Sequence, residues 1–192
     1  RLPLEKWVGA LNANLPPDIA VLRAWEPPAG FHAQFSARGK TYAYRIWNAW
    51  GRSALLYDRA WHVPAPLSLP AMRRAAKILV GRHDFRAFAQ TAGANARKTT
   101  VRRIRAIAIT RRGDLVTLSV SGDGFLTHMV RILVGTLVEV GKGRRKPASV
   151  AETLKGKRRA AAGPTAPARG LMLRSVDYGR EDSAAGISAS FT

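Results

Sequence analysis

The segment GFLTHMVRILVGTLVEVGKGRRK, residues 124–146, sets a single arginine, Arg131, inside an apolar run. Phe125, Leu126, Met129, Val130, Ile132, Leu133, Val134, Leu137, Val138 and Val140 spread around nearly the whole circumference of a helix. A helix apolar on almost every side is a buried one. A guanidinium does not give up its proton, so in such surroundings it must meet an anion or cost several kcal/mol. At helical spacing Arg131 shares a stripe with Thr127, His128 and Gly135, and Gly135 lets another backbone approach that face. Two chemistries fit. Either the arginine pairs with an Asp or Glu to staple the core, or it holds a catalytic carboxylate ionised, because a nearby cation lowers a carboxyl pKa. The pattern alone leaves both open.

The second feature able to do chemistry is positive charge. Thirty-two Lys and Arg against twelve Asp and Glu give a net charge of +20. A surplus of that size points to a polyanion, and nucleic acid is the usual one. The charge gathers in Arg97-Lys98, Arg102-Arg103-Arg105, Arg144-Arg145-Lys146 and Lys155-Lys157-Arg158-Arg159. Each cluster alone reads as a solvated face; together with Lys40 they read as phosphate contacts that position RNA or DNA without reading its sequence. Phe31, Tyr42 and Tyr44 offer surfaces on which bases stack, although core packing is the better reading of Tyr44. The four histidines lie far apart and have no carboxylate partners at ligand spacing, so no metal site is expected; a metal-dependent nuclease built on His83 and Asp84 is the remote alternative. Val140-Gly141-Lys142-Gly143-Arg144 follows a helix instead of preceding one and reads as its C-terminal turn, not as a phosphate loop.

The rest of the chain must position these groups. Its 46% hydrophobic content excludes wholesale disorder. No apolar run reaches the ~20 residues of a membrane span. Without cysteine or a signal peptide, a cytoplasmic protein is expected. The chain starts at Arg1 with a helix-like segment, which reads as a cut end.

The spacing predicts helices over 4–13, 71–80, 125–140 and 148–154. Strands are predicted at 19–25, through Thr41 to Ile46, at 101–110 and 115–121 around a Gly113-Asp114 hairpin turn, and at 171–178. Residues 155–169 read as irregular and the stretch from Gly179 as a flexible tail. Helices interleaved with hairpin strands give an α+β class.

FHAQFSARGKTYAYRI, GRHDFRAF, GFLTHMVRILVGTLVEVGKGR and ARGLMLRSVDY, preceded by ALNANLPPDIAV, stand in the order of the tRNA pseudouridine synthase A family, which the chain resembles from about residue 10 to residue 178. The resemblance implies a pseudouridine-synthase-like fold, with a mixed, largely antiparallel sheet flanked by helices and a basic RNA-binding cleft. It implies an isomerase that converts uridine to pseudouridine at positions 38 to 40 of the tRNA anticodon stem-loop, as a homodimer without metal or organic cofactor. In that family an aspartate attacks the nucleotide, the glycosidic bond breaks, and the uracil turns and rejoins through carbon. By position Tyr42 resembles the tyrosine that stacks on the target base, and Arg131 the arginine that pairs with the nucleophile.

The family's Arg-Thr-Asp-Ala/Gly-Gly-Val-His motif, which holds the aspartate, is absent, and none of Asp18, Asp58, Asp84, Asp114, Asp123, Asp177 or Asp182 stands in its context. Gln34 stands where relatives usually carry arginine. Residues 1–178 are therefore expected to be the larger C-terminal part of the catalytic fold, inactive alone and poorly stable, since an orphaned buried arginine costs about 3–5 kcal/mol. The alternative is a non-catalytic RNA-binding protein that keeps the fold.

Overall fold

The computed structural model describes residues 2–90 and 99–179. The chain divides into two compact units, Arg1–Ser36 and Ala37–Thr192. Helix α1 (Leu4–Asn12) lies in the first unit and buries none of its residues, so Leu4, Trp7 and Leu11 stay exposed. The strand expected at 19–25 does not form. A strand needs a neighbour to take its backbone groups. Here the side chain of Asn12 is the only described partner for Val21: its Nδ2 donates to Val21 O (2.9 Å) and its Oδ1 accepts from Val21 N (2.7 Å).

The second unit is an α+β body on a six-stranded sheet. Its strands are β1 (Gly39–Trp47), β2 (Trp61–His62), β3 (Gly81–Asp84), β4 (Val101–Arg112), β5 (Leu115–Gly122) and β6 (Leu171–Asp177). The order is β2-β1-β5-β4-β3, with β6 also on β1. β2 runs parallel to β1 and every other pairing is antiparallel. Alternation decides which face is covered. On β5, Val116, Leu118 and Val120 are buried while Thr117, Ser119 and Ser121 are only half-covered. On β1 Tyr44 and Ile46 join the same core, with Tyr42 packed at its margin. The expected two-residue turn at Gly113-Asp114 joins β4 to β5, with Arg112 opposite Leu115.

Helices α2 (Leu69–Leu79), α3 (Met129–Gly141) and α4 (Ser149–Gly156) supply much of the remaining core, with Phe85 and Phe88 from the turn after β3. Ser68 caps α2, its Oγ accepting from Ala71 N. Eleven of the thirteen residues of α3 are buried, all except Arg131 and Glu139, as its apolar circumference requires. At its end Gly143 takes φ 73°, which confirms the turn expected there.

The segment after α4 is irregular, as its composition indicates, but it is docked firmly. Gly163 N donates to Thr136 Oγ1 (2.9 Å), and Thr136 Oγ1 donates to Ile132 O (2.8 Å). Contact is backbone to backbone. A Cβ on Gly135 would overlap the Pro164 carbonyl, and one on Gly163 would lie 2.7 Å from Thr136 Cα. Gly135→Ala should therefore lower stability by about 1–3 kcal/mol through overpacking, read as a fall in the urea midpoint; an unchanged midpoint would show that the seam yields.

Candidate active site

Tyr42 leaves β1 on the face that carries the core, and Arg131 leaves the first turn of α3. The two meet in one pocket of about 350 Å³, walled also by Phe125 to Val130, Ala168 and Leu171. The Tyr42 and Phe125 rings stand edge to face, centroids 5.3 Å apart, which fixes the tyrosine plane.

Arg131 is half-buried rather than sealed in the core. It is tied to Ala166 by a reciprocal pair of bonds: Ala166 N donates to Arg131 O (3.1 Å), and Arg131 Nε donates to Ala166 O (2.6 Å). The expectation of an orphaned buried charge is thus corrected. Nε has a carbonyl, and partial solvation removes the premise of the 3–5 kcal/mol cost. Among the described residues no carboxylate lines the pocket and none forms an ion pair with Arg131.

Thr127 and His128 line the pocket but do not continue the helical stripe. α3 begins at Met129, and His128 caps it from the left-handed region, φ 60°. That conformation is rare for a residue with a Cβ and turns the chain sharply at the pocket wall. Gln90 N donates to the Thr127 carbonyl at 3.2 Å. Tyr44 is fully buried beneath the site and donates to Pro167 O at 2.7 Å, so its core reading holds. Burial holds its phenol well above the ordinary tyrosine pKa, partly countered by the charges of Arg131 and Arg169.

The expected RNA contacts are dispersed. Lys40 lies two residues before Tyr42 on the same face of β1. Arg102 borders Gly124, and its Nη1 donates to the Thr99 and Val101 carbonyls. Arg144 lies beyond the other end of α3, roughly 20 Å from Arg131 at ~1.5 Å per residue, and pairs with Glu139. Arg145 fastens α4 to the following turn through Thr153 Oγ1 (3.0 Å) and Ala161 O (2.7 Å). Arg97 and Lys98 lie outside the described residues. In the first unit Phe31 lines a shallow apolar hollow with Ala24, Trp25 and Pro27, and Gln34 is exposed.

The profile of the tRNA pseudouridine synthase family matches residues 75–179. The tRNA pseudouridine synthase A of Geobacter sulfurreducens is 48% identical over 177 residues, which is 92% of this chain and 72% of the relative. The tRNA pseudouridine synthase A of Myxococcus xanthus is 50% identical over 178 residues, 92% of this chain and 66% of that protein. The tRNA pseudouridine synthase A 2 of Clostridium tetani is 46% identical over 177 residues, 92% and 71% of the two lengths.

The chain belongs to the tRNA pseudouridine synthase family. Its α+β architecture with a largely antiparallel sheet is the one the resemblance implied.

Three features of the pocket were not legible in advance. Phe125 counted only as one apolar residue among many, the left-handed His128 has no residue signature, and the Ala166 carbonyl is a main-chain atom. The remote metal-site reading finds no support: among the described residues no three His, Asp or Glu gather. Asp84 is instead a structural junction. Its Oδ1 accepts from Thr100 Oγ1 (2.6 Å) and Arg86 N (3.1 Å), and its Oδ2 pairs with Lys157 at 3.0 Å.

These contacts, the Thr100 hydroxyl first, hold the Asp84 carboxyl below its ordinary pKa. A depressed carboxyl contributes stability that is complete above the unfolded pKa and lost as pH falls through the folded one. Asp84→Asn should therefore lower the urea midpoint at pH 7, with the difference from the parent closing below about pH 4. A gap of constant size across that range would assign the effect to shape instead of charge.

Proposed function

We propose that this chain is the base-stacking and arginine-bearing part of a synthase that isomerises uridine to pseudouridine at positions 38 to 40 of the tRNA anticodon stem-loop. The reading is supported above all by the meeting of Tyr42 and Arg131, distant in sequence, in one pocket. The pocket has a base-sized volume, one aromatic wall held by Phe125, and a cation at its edge. Uridine leaves its stack to enter, as bases do for enzymes that act on them.

Tyr42 then stacks on the uracil. With Nε occupied by Ala166 O, the rest of the guanidinium takes the nucleophilic carboxylate and keeps it ionised. That carboxylate comes from the part of the relatives' length that this chain does not span. Lys40, Arg97, Lys98, Arg102, Arg144 and Arg145 contact phosphates along the tRNA. The working unit is a homodimer in the cytoplasm, and the reaction needs no cofactor.

Tritium release from a tRNA transcript carrying [5-³H]uridine tests this, because rejoining through C5 expels that hydrogen. The chain alone should bind the tRNA and release nothing above background. Fused behind the N-terminal portion of the Geobacter sulfurreducens relative it should release tritium, and Tyr42→Ala in the fusion should cut the rate about tenfold or more, the worth of one stacked base. Release by the chain alone would place the nucleophile within these residues and overturn the assignment. Tight tRNA binding by a fusion that never releases tritium would favour the non-catalytic alternative.

A further inference from the structure

The register of β3 on β4 sets Arg82 directly opposite Arg103. Both are exposed, and as cross-strand partners they share one face of the ladder. Like charges so placed destabilise a sheet, and an anion between them reverses the sign.

Neighbouring arginines are satisfied by the protein. Arg102 donates to the Thr99 and Val101 carbonyls, and Arg105 donates to Arg38 O and pairs with Asp177. The nearby carboxylates are also engaged. Asp84 holds Thr100, Arg86 N and Lys157, while Asp123 Oδ1 accepts from the backbone N of Arg103. Among the described residues neither the Arg82 nor the Arg103 guanidinium has an acceptor or an ion pair.

Only the Arg103 backbone comes near the pocket: a Cβ on Gly122 would lie 2.8 Å from Arg103 O and 3.1 Å from the Phe125 ring. Ile104 and its partner Gly81 belong to the core face that carries Tyr42, so alternation sends the Arg82 and Arg103 side chains to the opposite face of the sheet.

We propose that Arg82 and Arg103 form a phosphate-binding pair for the sugar–phosphate backbone of the RNA, on the sheet face opposite the pocket. Two guanidinium forks facing one phosphodiester satisfy its oxygens with charge-assisted bonds, and the contact carries no sequence information. The inference rests on the RNA-modifying reading above.

The full chain and its R82Q/R103Q variant are titrated with an unmodified tRNA transcript and with an RNA hairpin of unrelated sequence, at several salt concentrations. Loss of one phosphate contact should lower the salt slope by about 1 and weaken both RNAs by the same factor, about tenfold. Without RNA the variant's Tm should rise, because the facing charges are gone. An unchanged slope and affinity, or a Tm that falls together with affinity, overturns the pair. Should the parent bind neither RNA, the functional reading falls, and inorganic pyrophosphate decides the pair separately. At fixed ionic strength it must then raise the parent's Tm and leave the variant's unmoved; equal responses reject the site.

Discussion

The reciprocal pair of bonds between Arg131 and Ala166 is the constraint on which the site depends. It lets a charged residue sit in the first turn of the most apolar helix of the fold without being either buried whole or lost to solvent. The bonds require the irregular segment 163–167 to run against α3 at backbone distance. That approach is open only because Gly135 and Gly163 carry no side chain where the two chains touch. The Thr136 hydroxyl then takes up the Gly163 N–H, which the approach has cut off from water. Tyr44, reaching from β1 to Pro167 O, closes the same segment from the sheet side. One short irregular stretch thus fixes the arginine, the floor of the pocket and the entry to β6.

The sheet does the complementary work. β1 carries Lys40, Tyr42, Tyr44 and Ile46 on one face, so a single strand supplies the pocket's aromatic wall and, two residues on, a core anchor. Pairing with β5 on one side and β6 on the other leaves little freedom for the angle of Tyr42. The β6 pairing shifts register between Thr41 and Tyr42, at the point where β1 passes from the charged end of the sheet to the pocket. At that charged end Arg105 spans to Asp177, an exposed ion pair worth at most about 1 kcal/mol. Its main effect is to keep Arg105 bonded within the protein while Arg82 and Arg103 face solvent.

Elements with strong periodicity were legible in the residues. The alternation of β5, the apolar circumference of α3 and the Gly113-Asp114 turn each satisfy one local rule, and all three stand where that rule puts them. The segment 19–25 failed because its apolar residues satisfy the propensity of a strand but not its need for a neighbour. No composition rule can supply that neighbour. At the site, residue types made Tyr42 and Arg131 candidates and the resemblance supplied their roles; the structure brings both to one pocket. Residue types were insufficient for Thr127 and His128, where a helical stripe was extended one turn too far: backbone geometry at His128 ends the helix, and the same two residues reach the pocket by a different route. The Ala166 carbonyl was invisible for a plainer reason, since every residue has one and only packing says which will be used.

The position of Arg131 within α3 concentrates positive charge at one wall of the pocket. The first turn of a helix is the positive end of its dipole, and a cation there is disfavoured by about 0.3–1 kcal/mol where a carboxylate would gain as much. α3 has no acidic residue in its first turn to offset this. The helix end and the guanidinium therefore add their positive potentials at one wall of a half-dry pocket, where solvent screens them less than at the surface. A carboxylate brought to that wall is held ionised by both at once, and it relieves a repulsion already present in the fold. The arginine is thus less a prop for the core than a positive charge held at the pocket wall by Ala166.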